Sequence, residues 1–412
     1  FDGNKNIRIL DPGAGIGIFE SAFCEYILEQ GNPINVHFDL YENDSKIIPL
    51  LEQNLKTCEE LMKKNDLEMT YKIINKDFIL SNYYLFEDFD ENINLYNVLY
   101  DYVISNTPYY KINTKSEHAY LMSRMFKGQP NIYSLFMALS VKLLKDNGKI
   151  VVLTPRSYCS GIYFKEFRKF FFSEVKPLKI HLFESRNNVF SKYKVLQEML
   201  ILTAIKSNLI PKIVDISSSY GDPKNLRSII YRFTPINKVF IKNDSDIEIR
   251  IPLSDIDIKM ADCLDSLGHN LNNLGFKVST GKVVPFRTRK YLSFNSTSNS
   301  VPLILMQNIR DNHVEWPLNI KNKFIAISFN EKSKKYLVEN NNYVLIKRFS
   351  TKEGKQRINA AVLLKKKMNF EYIGIENHVN YIYNSGENMS EEVAYGISAL
   401  LNSRIYNNYF KL

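Results

Sequence analysis

Residues 7–17, with the sequence IRILDPGAGIG, decide the fold that this chain predicts. The first four, largely apolar, are a short strand candidate, and residues 19–29 carry apolar side chains at helical spacing. Between them, Gly13, Gly15 and Gly17 form a G-x-G-x-G pattern. Glycine allows backbone angles that other residues avoid and lets the chain approach a ligand closely. The pattern therefore predicts a ligand-binding turn, and the alternative is a tight turn without a ligand.

The same alternation of strand and helix continues through the first half of the chain. The further strand candidates are residues 36–41, 71–74, 102–104, 149–153, 180–183 and 199–204, and the further helix candidates are 47–63, 132–144 and 161–172. Such alternation predicts an α/β domain, a doubly wound sheet with helices on both faces, over residues 1–208. The polar segment 217–225 predicts a linker, and the short mixed segments of residues 226–412 predict a separate α+β domain.

The overall composition favours a nucleic-acid partner. The 412 residues carry a net charge of +10, and Lys and Arg side chains drive binding to phosphates. The four cysteines are far apart, so we expect no metal site and no disulfide framework, and we predict a protein of the reducing cytoplasm. No apolar run approaches the roughly 20 residues that span a bilayer, so we expect no membrane partner.

Acidic side chains follow the second and third strand candidates, at the edge where a doubly wound sheet binds ligands. Glu42 ends the second strand and could accept both hydroxyls of a ribose. Asp77 follows the third strand and could accept from an adenine amino group, while Phe78 packs on the ring. The alternatives are a solvated loop carboxylate at Glu42 and a helix-start residue at Asp77.

The segment 105–110, SNTPYY, follows the fourth strand candidate and is the most specific signal in the chain. The exocyclic amine of adenine is a poor nucleophile because its lone pair is delocalised into the ring. The Asn106 side-chain carbonyl and an adjacent backbone carbonyl can accept its two hydrogens, while Pro108 rigidifies the turn. Tyr109 offers a flat face on which an extruded base can stack. An ordinary N-x-P turn is the alternative.

Taken together, the glycine pattern, Glu42, Asp77-Phe78 and the N-T-P-Y segment resemble one family of enzymes, the class I S-adenosylmethionine-dependent N6-adenine DNA methyltransferases of bacterial restriction-modification systems. The motif order matches the gamma-type arrangement, and residues 274–282 and 374–381 resemble the target-recognition region of Eco57I-like modification methylases. The resemblance implies a Rossmann-like catalytic domain, a C-terminal DNA-recognition domain and S-adenosylmethionine as the cofactor. It also implies that duplex DNA is the substrate, with the target adenine flipped out of the helix.

The resemblance assigns two sets of residues to the site. The catalytic set, around the flipped adenine, is Asn106, Thr107, Pro108, Tyr109 and Phe190. The cofactor-binding set is Asp11, Pro12, Gly13, Gly15, Gly17, Glu42, Asn43, Asp77, Phe78 and again Asn106. Two features depart from the family pattern. Thr107 stands where the family usually has proline, and the aromatic motif that closes over the cofactor is not found before Phe1, which leaves two alternatives, that this segment was cut away or that it is disordered.

Two basic clusters in the C-terminal half predict contacts with DNA phosphates. The predicted DNA-binding residues of the first cluster are Lys282, Arg287, Arg289 and Lys290, and those of the second are Lys347 and Arg348. For any single lysine, a solvated surface charge is the alternative. His378 is interpreted as a structural histidine rather than a ligand or a base.

Two other functions stay open. Methylation of an rRNA base or of a protein glutamine uses the same Asn-Pro-Tyr logic, but such enzymes seldom carry a large basic C-terminal domain. A catalytically idle DNA-binding specificity subunit would fit Thr107, although Asn106, Tyr109 and Glu42 argue against it. The expected assembly is a monomer, with a cognate restriction endonuclease as a partner.

Overall fold

The chain forms two compact units, Phe1–Ser254 and Asp255–Leu412, and each has its own hydrophobic core. The structure is a computed structural model. The residues that it describes are 6–31, 34–86, 99–123, 131–184, 198–220, 229–242, 246–310, 312–318, 320–350 and 356–412.

A mixed sheet with the strand order β3-β2-β1-β4-β5-β7-β6-β8-β9 forms the frame of the first unit. Its strands are β1 (Asn6–Asp11), β2 (Asn35–Tyr41), β3 (Met69–Ile74), β4 (Tyr100–Asn106), β5 (Leu144–Pro155), β6 (Lys176–Phe183), β7 (Met199–Ile205), β8 (Ile213–Ser219) and β9 (Ile230–Pro235). The first five strands in this order, β3, β2, β1, β4 and β5, are all parallel, so their carboxyl ends meet at one edge of the sheet. β7 runs antiparallel to both of its neighbours.

Helices cover both faces of this sheet, as the alternating pattern predicts. They are α1 (Ile18–Gln30), α2 (Ile48–Lys63), α3 (Phe78–Asn82), α4 (Glu117–Leu121), α5 (Ile132–Lys142), α6 (Lys165–Glu174) and α7 (Ile236–Val239). In β1, Ile7 and Ile9 pack in the core that α1 and α2 cover, while Leu10 packs in the core of α3, α5 and α6. This alternation confirms the predicted doubly wound α/β fold.

The boundary between the units lies after Ser254, whereas the sequence predicts limits of 1–208 and 226–412. Two strands beyond residue 208 belong to the first sheet, because β8 pairs with β6 and β9 pairs with β8. The hairpin of β10 (Phe240–Lys242) and β11 (Ile247–Ile249) also packs there, and Ile249 lies in the first core. The start of the predicted linker, residues 217–219, is part of β8, and residues 221–225 lie outside the described residues.

The second unit contains two sheets, with the orders β12-β22-β19-β20-β16-β15 and β13-β17-β14-β21-β18. The strands are β12 (Phe276–Thr280), β13 (Leu292–Ser293), β14 (Ser300–Ile304), β15 (Ile309–Arg310), β16 (His313–Val314), β17 (Ala326–Ser328), β18 (Leu337–Glu339), β19 (Tyr343–Lys347), β20 (Ala360–Leu363), β21 (Tyr372–Ile375) and β22 (Val379–Asn384). The helices are α8 (Asp255–Asp265), α9 (Pro285–Thr288), α10 (Glu331–Lys334), α11 (Glu391–Asn402) and α12 (Arg404–Tyr409). Most strand pairs are antiparallel, which confirms the predicted α+β class. In the described part of the chain, every helix is too short or too polar to cross a bilayer.

Candidate active site

A cavity of about 710 Å³ opens at the carboxyl ends of β1, β2 and β4. The predicted site residues that line it are Pro12, Gly13, Glu42, Asn43, Asp77, Phe78, Asn106, Thr107, Pro108 and Tyr109. The sequence did not assign five further lining residues, which are Tyr41, Lys76, Tyr110, Ile132 and Phe136. Parallel strands β1 and β4 are neighbours in the sheet, so the glycine loop and the N-T-P-Y segment meet at one edge.

The glycine loop between β1 and α1 is held by hydrogen bonds within the sheet edge. The Gly13 amide donates to Asp11 Oδ1 at 2.9 Å, and the Ala14 amide donates to the Tyr41 carbonyl at 3.0 Å. Gly15 and Gly17 have φ angles of +57° and +81°, in the left-handed region that other residues avoid. The turn therefore requires glycine at these two positions.

Glu42 closes this loop from the end of β2. Its Oε2 accepts from the Gly15 amide at 3.0 Å, and its Oε1 accepts from the Asp44 amide at 2.8 Å. Each carboxylate oxygen has two lone pairs, so both can still accept a hydroxyl from a ligand in the cavity. The structure thus fixes the orientation of the carboxylate that the sequence assigned to a ribose.

Asp77 caps the first turn of α3, and both of its oxygens have partners. Oδ1 accepts from the Leu80 amide at 2.9 Å, and Oδ2 lies 2.9 Å from His118 Nε2. Burial alone would raise the pKa of Asp77, but the hydrogen bonds from His118 and Leu80 lower it below its usual value. The hydrogen bond to Asp77 raises the pKa of His118 in turn. Both shifts favour the charged forms, so the contact is an ion pair whenever His118 is protonated.

Sequence reasoning missed His118, which lies 41 positions from Asp77 along the chain. The residue is part of α4, in the segment that follows the N-T-P-Y turn. No local pattern around a lone histidine indicates its partner. Only the folded chain brings α4 against the start of α3.

Asn106 and Tyr109 contact each other at the end of β4. The Tyr109 hydroxyl donates to Asn106 Oδ1, and it also lies 3.2 Å from the Leu153 carbonyl oxygen. Burial raises the pKa of Tyr109, so this hydroxyl keeps its proton. Asn106 itself is exposed to the cavity. The turn thus presents an oriented amide oxygen at the cavity wall.

Thr107, the departure from the family pattern, is only 2% exposed. Among the described residues, its buried hydroxyl has no hydrogen-bond partner. A proline in this place would bury no hydroxyl. Threonine therefore leaves a buried, unsatisfied hydroxyl at this position that proline would not.

A second group that the sequence did not single out lies beneath the glycine loop. Glu20, in the first turn of α1, is fully buried, and both of its carboxylate oxygens lack a partner among the described residues. Burial raises its pKa to about 7. Burial and the nearby Glu20 also raise the pKa of Asp11 well above its usual value. The floor of the loop therefore holds two carboxyl groups that take up protons easily.

The remaining predicted residues are placed as follows. Phe190 lies outside the described residues. Five of the basic residues are exposed, and Lys347 is half-buried at the end of β19. The two basic clusters come together, because the Gly281 amide donates to the Val379 carbonyl at 2.8 Å and the Arg348 amide donates to the His378 carbonyl at 3.0 Å. The sequence treated these clusters as separate.

Comparison with known proteins agrees with this geometry. The family model for the Eco57I restriction-modification methylase matches residues 28–190. The Type II methyltransferase M.PstI of Providencia stuartii is 34% identical over 98% of this chain and 78% of its own length. The Type II methyltransferase M.BsuBI of Bacillus subtilis is 34% identical over 99% of this chain and 79% of its own length.

Solved structures show the same fold at low identity. The Type ISP restriction-modification enzyme LlaBIII bound to DNA aligns with a TM-score of 0.56 and 12% identity, over 98% of this chain and 35% of that one. The DrdV–DNA complex aligns with a TM-score of 0.52 and 14% identity, over 97% of this chain and 48% of that one. Sequence identity over nearly the whole chain places this protein with the Type II enzymes, and it belongs to the Eco57I-like family of restriction-modification methylases.

Proposed function

We propose that this protein is a DNA methyltransferase of a restriction-modification system, which transfers a methyl group from S-adenosylmethionine to N6 of an adenine in duplex DNA. One observation carries the proposal. Asn106 lines the same cavity as Gly13 of the glycine loop and Glu42. A group that polarises an amine and a loop that suits a nucleoside cofactor therefore share one site.

The residues of the cavity fit the adenosyl part of the cofactor. Glu42 has lone pairs left for two ribose hydroxyls, and Asp77 can accept from the adenine amine beside its bond to His118. Phe78 lies between Tyr41 and Phe136, at ring distances of 5.0 and 5.4 Å, and these rings provide an apolar wall for a purine. When bound, S-adenosylmethionine supplies an electrophilic methyl group.

The N-T-P-Y turn would activate the amine by accepting its hydrogens. Asn106 accepts one through its side chain, and the backbone carbonyl of Thr107 or Pro108 accepts the other. The Tyr109 hydroxyl that now donates to Asn106 can turn to the Leu153 carbonyl, so it keeps an acceptor when the amine takes its place. No strong base is required, because the proton becomes acidic once the nitrogen carries the methyl group.

The basic surface of the second unit supports duplex DNA as the substrate. LlaBIII and DrdV, which share the fold, were both solved with DNA. Because N6 is inaccessible to a cofactor inside a stacked duplex, we propose that the target adenine flips into the cavity and stacks on Tyr109. We also propose that the protein acts as a monomer, with a cognate endonuclease that cuts the same sequence.

The test is methyl transfer by Asn106→Ala. Oriented dipoles of this kind are worth about 3–4 kcal/mol in the transition state, so turnover should fall by roughly a hundredfold or more. The variant should still fold and bind both cofactor and DNA. The measurement is transfer of a tritiated methyl group to duplex DNA, followed by separation of the labelled bases.

Asn65→Ala is the matched control, because Asn65 is an exposed amide at the end of α2. It should leave turnover unchanged. Near-normal turnover in Asn106→Ala would remove Asn106 from the chemistry. Label on cytosine, on rRNA or on a protein glutamine would replace adenine by one of the rival substrates.

A further inference from the structure

We propose that Arg348 and His378 read base edges of the recognition sequence, while Arg287, Arg289 and Lys290 of the same unit contact phosphates. The proposal rests on the proposed DNA methyltransferase function. His378 belongs to the turn of residues 376–378, which we call the reading turn, and Arg348 is hydrogen-bonded to that turn. The reading turn joins β21 of one sheet to β22 of the other sheet in the second unit.

The backbone of the reading turn is fixed from two sides. The Glu376 amide donates to the Ile304 carbonyl at 2.9 Å, and the Asn377 amide donates to the Val283 carbonyl at 2.8 Å. A Cβ on Gly281 would lie 2.1 Å from the Glu376 carbonyl oxygen, so only glycine allows the two chains to come this close. A turn held in this way presents its side chains with little loss of entropy on binding.

The side chains at the turn are oriented as well. His378 Nδ1 lies 3.1 Å from Oε1 of Glu376, and the carboxylate is 7% exposed whereas the imidazole is 44% exposed. The Arg348 guanidinium donates through Nη1 to the Asn377 carbonyl at 3.2 Å. The ring of Phe349 packs edge-on against the imidazole, with 5.5 Å between centroids. The exposed imidazole of His378 and the guanidinium of Arg348 are therefore oriented by a buried carboxylate and a backbone carbonyl.

The cations of the neighbouring cluster differ from Arg348 in their hydrogen bonds. Arg287 lies over the ring of Phe286 at 5.2 Å and Arg289 over the ring of Phe324 at 5.9 Å, much as Arg348 lies over the ring of Phe349 at 5.7 Å. In the described part of the chain, no acceptor binds the charged groups of Arg287, Arg289 or Lys290. A phosphate can be bound by cations that no hydrogen bond orients, because it offers acceptors in many directions, whereas a base edge demands a fixed geometry.

The guanidinium of Arg348 and the imidazole of His378 can both form hydrogen bonds with base edges. An Arg guanidinium can donate two parallel hydrogen bonds to O6 and N7 of guanine, which is the commonest specific contact in the major groove. Because Glu376 holds Nδ1 of His378, Nε2 is the ring nitrogen that faces a partner from solvent. It can accept from an adenine or cytosine amine when the imidazole is neutral. We assign Arg348 to a guanine and His378 to an adjacent base pair.

The experiment compares His378→Ala and Arg348→Lys with Lys290→Ala as the matched control. Each protein selects duplexes from a library with random positions, and sequencing reports both the bound sequences and the methylated adenines. The two reading-turn variants should lose discrimination at one base pair each, by roughly ten- to a hundredfold, and keep it elsewhere. Lys290→Ala should bind every sequence more weakly, with the preference unchanged and a salt slope lower by about 1.

Unchanged preference in both reading-turn variants would overturn the assignment. So would loss of all binding by variants that still melt like the wild type, because the residues would then supply affinity rather than specificity. Arg348→Lys keeps the positive charge and the hydrogen bond from the backbone amide of residue 348 to the His378 carbonyl. It therefore still tests the proposal if His378→Ala fails to fold. If the wild type binds a defined sequence but methylates no adenine, the proposed function is wrong. The assignment of Arg348 and His378 to base edges is then still decided by the sequences that each variant binds.

Discussion

At the scale of single residues, the buried carboxyl group of Glu20 makes the stability of the protein depend on pH. Its pKa in the folded protein is about 7, above the usual value, so its contribution to stability is full at low pH and is lost as pH rises through about 7. We expect Glu20→Gln to raise the free energy of unfolding at about pH 8, by on the order of 3 kcal/mol, and to change it little at about pH 5. Urea unfolding at both pH values measures this difference.

Glu25→Gln is the matched control for Glu20→Gln, because Glu25 is on the same helix but exposed. It should shift stability little at either pH. An equal gain or loss at both pH values in Glu20→Gln would show that the carboxyl group does not titrate in the folded state near pH 7.

At the scale of elements, the His118–Asp77 pair ties α4 to the start of α3. The raised pKa of His118 makes its contribution full at low pH and lost as pH rises through the folded value, while the lowered pKa of Asp77 confines the loss on that side to acid. We expect His118→Ala to cost about 1 kcal/mol at about pH 6, with the cost shrinking as pH rises above the pKa of His118 in the folded protein. In the wild type, the protection of the α4 amides relative to their intrinsic exchange rates should fall over the same pH range.

His118→Gln tests whether the charge matters in this contact between helices. It can still donate a hydrogen bond to Asp77 but cannot become a cation, so its stability should vary less with pH than that of the wild type. Exchange rates in α4 that are the same in all three proteins would show that another contact holds this helix.

At the scale of the whole molecule, the position of the boundary between the units predicts which fragments fold. Val214 and Ile216 of β8 are buried in the first core, so a fragment that ends at residue 208 exposes apolar surface and leaves the edge of β6 unpaired. We expect residues 1–254 to unfold cooperatively at a higher temperature than residues 1–208. Calorimetry of the two fragments measures the difference.

The complementary pair of fragments provides the control for the boundary. Residues 255–412 should melt as one cooperative unit, because the second unit has its own core. Addition of residues 226–254 should not stabilise it, since β9 pairs with β8 of the first unit. A large gain in melting temperature from that addition would move the boundary back toward the sequence-based position.

The sequence by itself determined the features that depend on neighbouring residues. The glycine turn, Glu42 and the N-T-P-Y segment each follow a strand that is recognisable from its own apolar residues. Parallel strands place their carboxyl ends at one edge, so the sequence also indicated that these motifs meet, and in the structure they line one cavity.

Only the tertiary structure decided the features that depend on distant pairings. The partner of Asp77, the addition of β8 and β9 to the first sheet and the meeting of the two basic clusters all join segments far apart in the chain. The burial of Glu20 belongs with these, because the polar face of a helix is assigned from its own residues whereas burial depends on what packs against it. The physical reason is common to all of them, since periodicity reports local structure and side-chain contacts are chosen by packing of the whole fold.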